Sequence, residues 1–127
     1  MSELHALDAS RARAVQTVCE QIVPGCARVG AEVYIDAVLA RMDEATRAAA
    51  LAAFDELFQP AAEGPEALAA YALTPAFGLA RAMACEAYYS DFVAPGAAGP
   101  GAWQEIGFAP PLATRINKDW SYLGVQS

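Results

Sequence analysis

The sequence predicts an all-α fold: a small bundle of four to five helices followed by a long, mostly irregular C-terminal tail. Three observations predict it. Roughly a quarter of the 127 residues are alanine, the strongest helix former. Apolar residues recur at spacings of three and four through most of residues 9 to 89. No stretch alternates apolar and polar residues with period two over β-branched side chains, as a half-buried strand does. A folded chain of this mass exposes roughly 6,400 Å² of the roughly 19,000 Å² of its unfolded form, which is burial enough for one core. The chain is therefore a single domain, with residues 1–93 as the helical body and residues 94–127 as the tail.

The first helix is expected from about Asp8 to Val23. Asp8 or Ser10 caps it, and Val15, Val18, Cys19, Ile22 and Val23 form one apolar stripe. Pro24-Gly25 breaks the chain. A second helix is expected from about Val29 to Met42, with Val33, Ile35, Val38, Leu39 and Met42 inward. Asp36 falls among them, either at the edge of the stripe or paired with an arginine. Asp43 caps a third helix over about Glu44–Phe58 that carries Leu51, Phe54, Leu57 and Phe58 and ends at Pro60.

Gly64-Pro65-Glu66 starts a short helix to about Ala72, with proline near the first position. Thr74-Pro75 repeats the signal and starts a longer helix to about Tyr89. Its inward residues are Phe77, Leu79 or Ala80, Met83, Ala84, Ala87 and Tyr88. Residues 94–101, rich in glycine and proline, hold no regular element. Beyond them stand Trp103, Ile106, Phe108, Leu112, Ile116, Trp120, Tyr122 and Leu123, residue types that a disordered linker lacks. A long structureless segment with such anchors is expected to wrap another protein rather than fold back over its own helices.

Charge and composition exclude several functions. The net charge is −7, and such a surface repels phosphate backbones, so nucleic-acid binding and docking to anionic membranes are poor readings. No apolar run approaches the roughly eighteen residues that span a bilayer. The start, Met1-Ser2-Glu3-Leu4-His5, lacks a basic region, an apolar region and a twin-arginine pair, so a cytoplasmic location is expected. Cys19, Cys26 and Cys85 are expected to be reduced. Packing accounts for Cys19 and Cys26 better than a disulfide or redox pair across the turn.

No catalytic constellation emerges. His5 is the single imidazole and precedes the first helix. Asp43, Glu44, Asp55 and Glu56 read as solvated charge rather than acid–base pairs. Gly96, Gly99 and Gly101 follow no strand and precede no Lys-Ser or Lys-Thr, so they cradle no phosphate. The expectation is a chain without catalytic, cofactor-binding or metal-ligating residues of its own. Aromatic residues carry the better signal, because tyrosine and tryptophan dominate interface hot spots. Tyr88-Tyr89-Ser90-Asp91 marks a helix exit, and Trp103-Gln104-Glu105-Ile106-Gly107-Phe108 follows a break. Tyr88 alone reads better as a cap on the local core.

These stretches resemble the gluconate 2-dehydrogenase subunit 3 family, the small subunit of heteromeric FAD-dependent sugar and sugar-acid dehydrogenases. Val15 to Pro24, followed by Gly30-Ala31-Glu32-Val33 and Tyr34-Ile35-Asp36, is similar to that family's helix ending in Ile-Pro, its Gly-Ala and its Ile-Asp helix. Glu86-Ala87-Tyr88-Tyr89-Ser90-Asp91 resembles its Tyr-Tyr helix exit. Trp103 and Ile106-Gly107-Phe108-Ala109-Pro110 resemble its Trp…Gly-Tyr-Pro-Gly element, with Gly-Phe-Ala-Pro in its place.

The resemblance, which runs from about Val15 to Pro110, implies a non-catalytic partner of a large flavoprotein of the glucose-methanol-choline type. FAD and alcohol oxidation would reside in that large subunit, and the small one would serve its folding, FAD loading or stability in a heterodimer. The expected partner interface comprises Tyr89, Asp91, Trp103, Ile106, Gly107, Phe108, Pro110, Trp120 and Tyr122. The alternative is a self-contained helical interaction protein that homodimerises through its aromatic tail.

Overall fold

A computed structural model describes residues 4–107 and 123–125. Among these residues there are seven helices and no strand, so the fold is all-α. The helices are α1 (Ala9–Ile22), α2 (Cys26–Val29), α3 (Ala31–Ala40), α4 (Glu44–Glu63), α5 (Pro65–Ala69), α6 (Pro75–Tyr89) and α7 (Ala102–Glu105). Helices α1, α3, α4 and α6 form the bundle. The longest, α4, packs against both α1 and α6.

The caps act as the sequence suggests. Asp8 accepts a 2.8 Å hydrogen bond from the Arg11 amide, and Asp43 accepts one from Thr46 at 3.1 Å. Thr74 accepts from the Phe77 amide at 3.2 Å, which opens α6 with Pro75 in its first turn. Each satisfies an N-terminal amide that the helix itself leaves without a partner.

Two boundaries differ from expectation. The helix expected over Val29–Met42 is split, because Gly30 adopts φ 73°, ψ 42° between α2 and α3. A left-handed residue cannot propagate a right-handed helix, and glycine makes that break at little cost. In the other case the break is absent: α4 does not end at Pro60 but runs on to Glu63. Proline forfeits one helical hydrogen bond, at about 3 kcal/mol in a helix interior. Pro60 is buried beside Leu57 and Ala61 on the inward stripe, and burial there offsets the loss. Gly64, at φ 133° and ψ 174°, a conformation that glycine reaches readily, ends the helix instead.

The core joins Val15, Val18 and Cys19 of α1, Ile35 and Leu39 of α3, and Phe54 and Leu57 of α4. Helix α6 contributes Ala80, Ala84 and Ala87, all fully buried, so small residues let this helix approach its neighbours closely. Phe58 is not a core residue: it stands 38% exposed. Ile22 and Phe77 are only half-buried. Two buried aromatics that the sequence reading did not place inward, Tyr34 and Phe92, meet edge-to-face with centroids 5.3 Å apart. That geometry suits the ring quadrupoles.

Asp36 is neither at the edge of a stripe nor paired with an arginine. It is buried, and its carboxylate accepts hydrogen bonds from the amides of His5, Ala6 and Leu7 at 2.7–3.1 Å. The arm before α1 is thereby fastened to α3. A buried carboxylate is tolerated where several donors surround it.

The tail is also partly corrected. Ala94, Ala102, Leu123 and Val125 are buried in this chain's own core, so the tail does not work wholly in trans. The Ala94 amide donates to Val29 O at 2.8 Å, and α7 forms where no element was expected. Burial needs apolar side chains with satisfied main-chain groups, and it does not need helical periodicity. Cys19, Cys26 and Cys85 are free thiols, the first two fully buried.

Candidate functional site

The stretches singled out in the sequence converge on one end of the bundle. The start is the Pro24-Gly25 turn. Gly25 has φ 109°, and the Glu20 carboxylate accepts from its amide at 3.1 Å and from that of Ala27 at 2.8 Å. The Tyr88 ring lies directly over the turn, and a Cβ at Gly25 would fall 2.7 Å from Tyr88 Cε1. Only glycine meets both the backbone angle and the close approach.

Arg28 of α2 reaches across to the later chain. Its Nη1 donates to Ala98 O at 3.1 Å and Pro100 O at 2.8 Å, and its Nη2 is ion-paired with Glu105 Oε1. The other oxygen of Glu105 accepts a 2.7 Å hydrogen bond from the Tyr88 hydroxyl. Burial first, and the neighbouring Glu105 carboxylate second, push the Tyr88 phenol up to about 12, against a smaller opposing effect of Arg28. Arg28, Glu105 and Tyr88 thus clamp α2, α6 and α7 together.

Asp91 forms the second fastening. It is buried with φ 67°, and its Oδ1 accepts from the Trp103 amide at 3.1 Å. A Cβ at Gly101 would overlap that carboxylate, so the chain passes there only as glycine. Asp91, expected at the partner interface, is instead an internal residue that orients α7. Trp103 is half-buried, and its indole N–H donates to Tyr89 O at 2.8 Å.

What these fastenings leave outward is a small apolar face. Tyr89 is 48% exposed and Ile106 58% exposed, with Trp103 between the two elements that carry them and Gly107 exposed at φ 71°. Tyr89 also packs edge-to-face on Tyr88, centroids 5.1 Å apart. The remaining expected contacts, Phe108, Pro110, Trp120 and Tyr122, lie outside the described residues. Sequence reasoning missed Arg28, Glu105 and Glu20. Local spacing points Arg28 to Glu32, four positions on, and gives no sign of Glu105.

Elsewhere, burial pushes the Glu32 carboxyl up, and its Oε1 is buried with no hydrogen-bond partner among the described residues. The Cys19 thiol is pushed well up by its hydrogen bond with Cys26 and by burial, which suits inert core thiols. Among the described residues no group of three or more His, Cys, Asp or Glu side chains is placed to hold a metal ion. No helix among them is long and apolar enough to cross a membrane.

Fold and site together define an all-helical chain with a clamped aromatic face at one end. No protein-family profile matches the chain, and neither a curated protein nor a solved structure matches it significantly.

Proposed function

We propose that this chain is a non-catalytic small accessory subunit of a heteromeric FAD-dependent dehydrogenase of the glucose-methanol-choline type. Its large subunit would oxidise a sugar, sugar acid or related alcohol. The observation that carries the reading is convergence. The Pro-Gly turn and Gly30, the Tyr-Tyr helix exit and the Trp103–Gly107 segment are distant in sequence, yet they meet at one end of the bundle. Those are the stretches that resemble the small-subunit family. The exposed Tyr89 and Ile106 supply aromatic and aliphatic anchors of the kind that dominate interfaces.

A partner that binds only the folded flavoprotein stabilises it by mass action, a route to a chaperone-like effect without any catalytic group. The flavin belongs to the partner in this reading, and none of the residues of the clamp is assigned to it. The test is co-expression with a large flavoprotein dehydrogenase of the glucose-methanol-choline type, followed by affinity purification through this chain. A yellow complex, with the large subunit losing flavin when expressed without this chain, is the expected result. A colourless, well-behaved homodimer that leaves the flavoprotein's flavin content unchanged overturns it and favours self-association through the same face.

A further inference from the structure

A cleft of about 350 Å³ opens between the end of α1, α5 and the first half of α6. Ile22, Pro65, Leu68 and Phe77 make its walls apolar, and Gln21 and Arg81 stand at its edge. The volume falls within the range of small-molecule sites, and so does the pattern of apolar walls with a few polar groups. Along α6, Phe77 and Arg81 lie twelve and eight positions from Tyr89, about 18 and 12 Å at helical rise, and the cleft shares no residue with the clamped face.

Arg81 sets the chemistry. The chain has 15 acidic and 8 basic residues, so carboxylates for an arginine are plentiful. Arg11 pairs with Asp55, Arg28 with Glu105, and Arg47 donates to the carbonyls of Leu39, Ala40 and Met42. The side chains of Arg13, Arg41 and Arg81 make no hydrogen bond or ion pair among the described residues, and of these three only Arg81 stands at the cleft. The neighbours of Arg81 at three and four positions are Phe77, Gly78, Ala84 and Cys85, none of them acidic. An exposed guanidinium at the rim of an apolar cleft is complementary to a carboxylate that carries an apolar body, and its planar fork suits bidentate pairing.

We infer that this cleft binds a small amphiphilic monocarboxylate, its carboxylate on Arg81 and its hydrocarbon between Ile22, Leu68 and Phe77. This site is independent of the subunit reading. Octanoate is the probe and octanol its uncharged counterpart, each titrated calorimetrically onto the full chain. Octanoate is expected to bind at one saturable site, and octanol about tenfold more weakly. Arg81→Gln, a change at an exposed side chain, should weaken octanoate about tenfold, a loss of about 1.4 kcal/mol, and leave octanol unchanged. Ala69→Trp, which fills the cleft from α5, should abolish both while the helical circular dichroism is kept. If that variant loses helical signal, the Arg81→Gln comparison decides alone. Octanoate that does not saturate, that binds no better than octanol, that is indifferent to Arg81→Gln, or that still binds a folded Ala69→Trp chain overturns the inference.

Discussion

The Tyr88 hydroxyl donates a 2.7 Å hydrogen bond to Glu105 across seventeen positions of sequence, and that bond joins the last turn of α6 to α7. Because the same carboxylate is ion-paired with Arg28, the phenol must stay protonated for the clamp to hold. Its folded value lies above the ordinary value of 10, at about 12. The stabilisation is therefore complete below pH 10 and is lost as pH rises through 12. The wild type should lose stability over that window more steeply than Tyr88→Phe. At pH 8 the variant should be less stable by about 1 kcal/mol, read by urea unfolding.

Asp36→Ala leaves the amides of His5, Ala6 and Leu7 without their acceptor. Of the three only the Leu7 amide is buried, and an unsatisfied buried donor costs about 1–3 kcal/mol, so the variant should lose about that much. Hydrogen exchange at those three amides is the local check. They should exchange at rates typical of free chain in the variant while α4 remains protected.

Glu32 behaves in the opposite sense to most carboxylates. Burial raises its folded value, so ionisation works against the fold and stability falls as pH rises from the ordinary value of 4.5 through the raised one. Glu32→Gln should raise the melting temperature at pH 7, by on the order of 1–3 °C, and change it little at pH 4. Thermal scans of both proteins at the two pH values measure the difference.

Tyr89→Ala and Ile106→Ala address the proposed interface, and the first also removes the edge-to-face contact with Tyr88 of the clamp. Both side chains are exposed, so Ile106→Ala should move stability by no more than about 0.5 kcal/mol, and Tyr89→Ala by about 0.5–1.5 kcal/mol through the lost ring contact. Retention of the flavoprotein should fall, with about 2 kcal/mol or more lost if either residue is a central anchor. Truncation at Gly101 is a poorer test, since it would also remove Ala102, Leu123 and Val125 from the core.

The two phenylalanines of α4 form an internal control. Phe54→Ala should cost about 3–5 kcal/mol through lost burial and a cavity, whereas Phe58→Ala should cost less than about 1 kcal/mol. Denaturant midpoints compare them directly.

Local signals made the helices and their starts legible: Asp8, Asp43 and Thr74 cap as short-range chemistry says they should. The stop at Pro60 misled because a proline's local cost is small enough for tertiary burial to override. Asp36 misled for a related reason. A carboxylate in an apolar stripe suggests a cationic partner, and nothing in the local pattern reveals that the acceptor serves three amides some thirty positions earlier. At the candidate site, the aromatic residues were visible by type. Their fastening by Arg28, Glu105 and Asp91 was not, because it depends on contacts that only the folded chain creates.

The reach of Arg28 has a consequence for how the protein is made. Its acceptors at Ala98, Pro100 and Glu105 are 70, 72 and 77 positions downstream. Synthesis proceeds at about 5–20 residues per second, so α2 waits several seconds on the ribosome before the groups that complete it exist. Until Tyr88 is made, earlier in that interval, the Pro24-Gly25 turn also lacks the ring that covers it, and a helix translated early is completed only near the end.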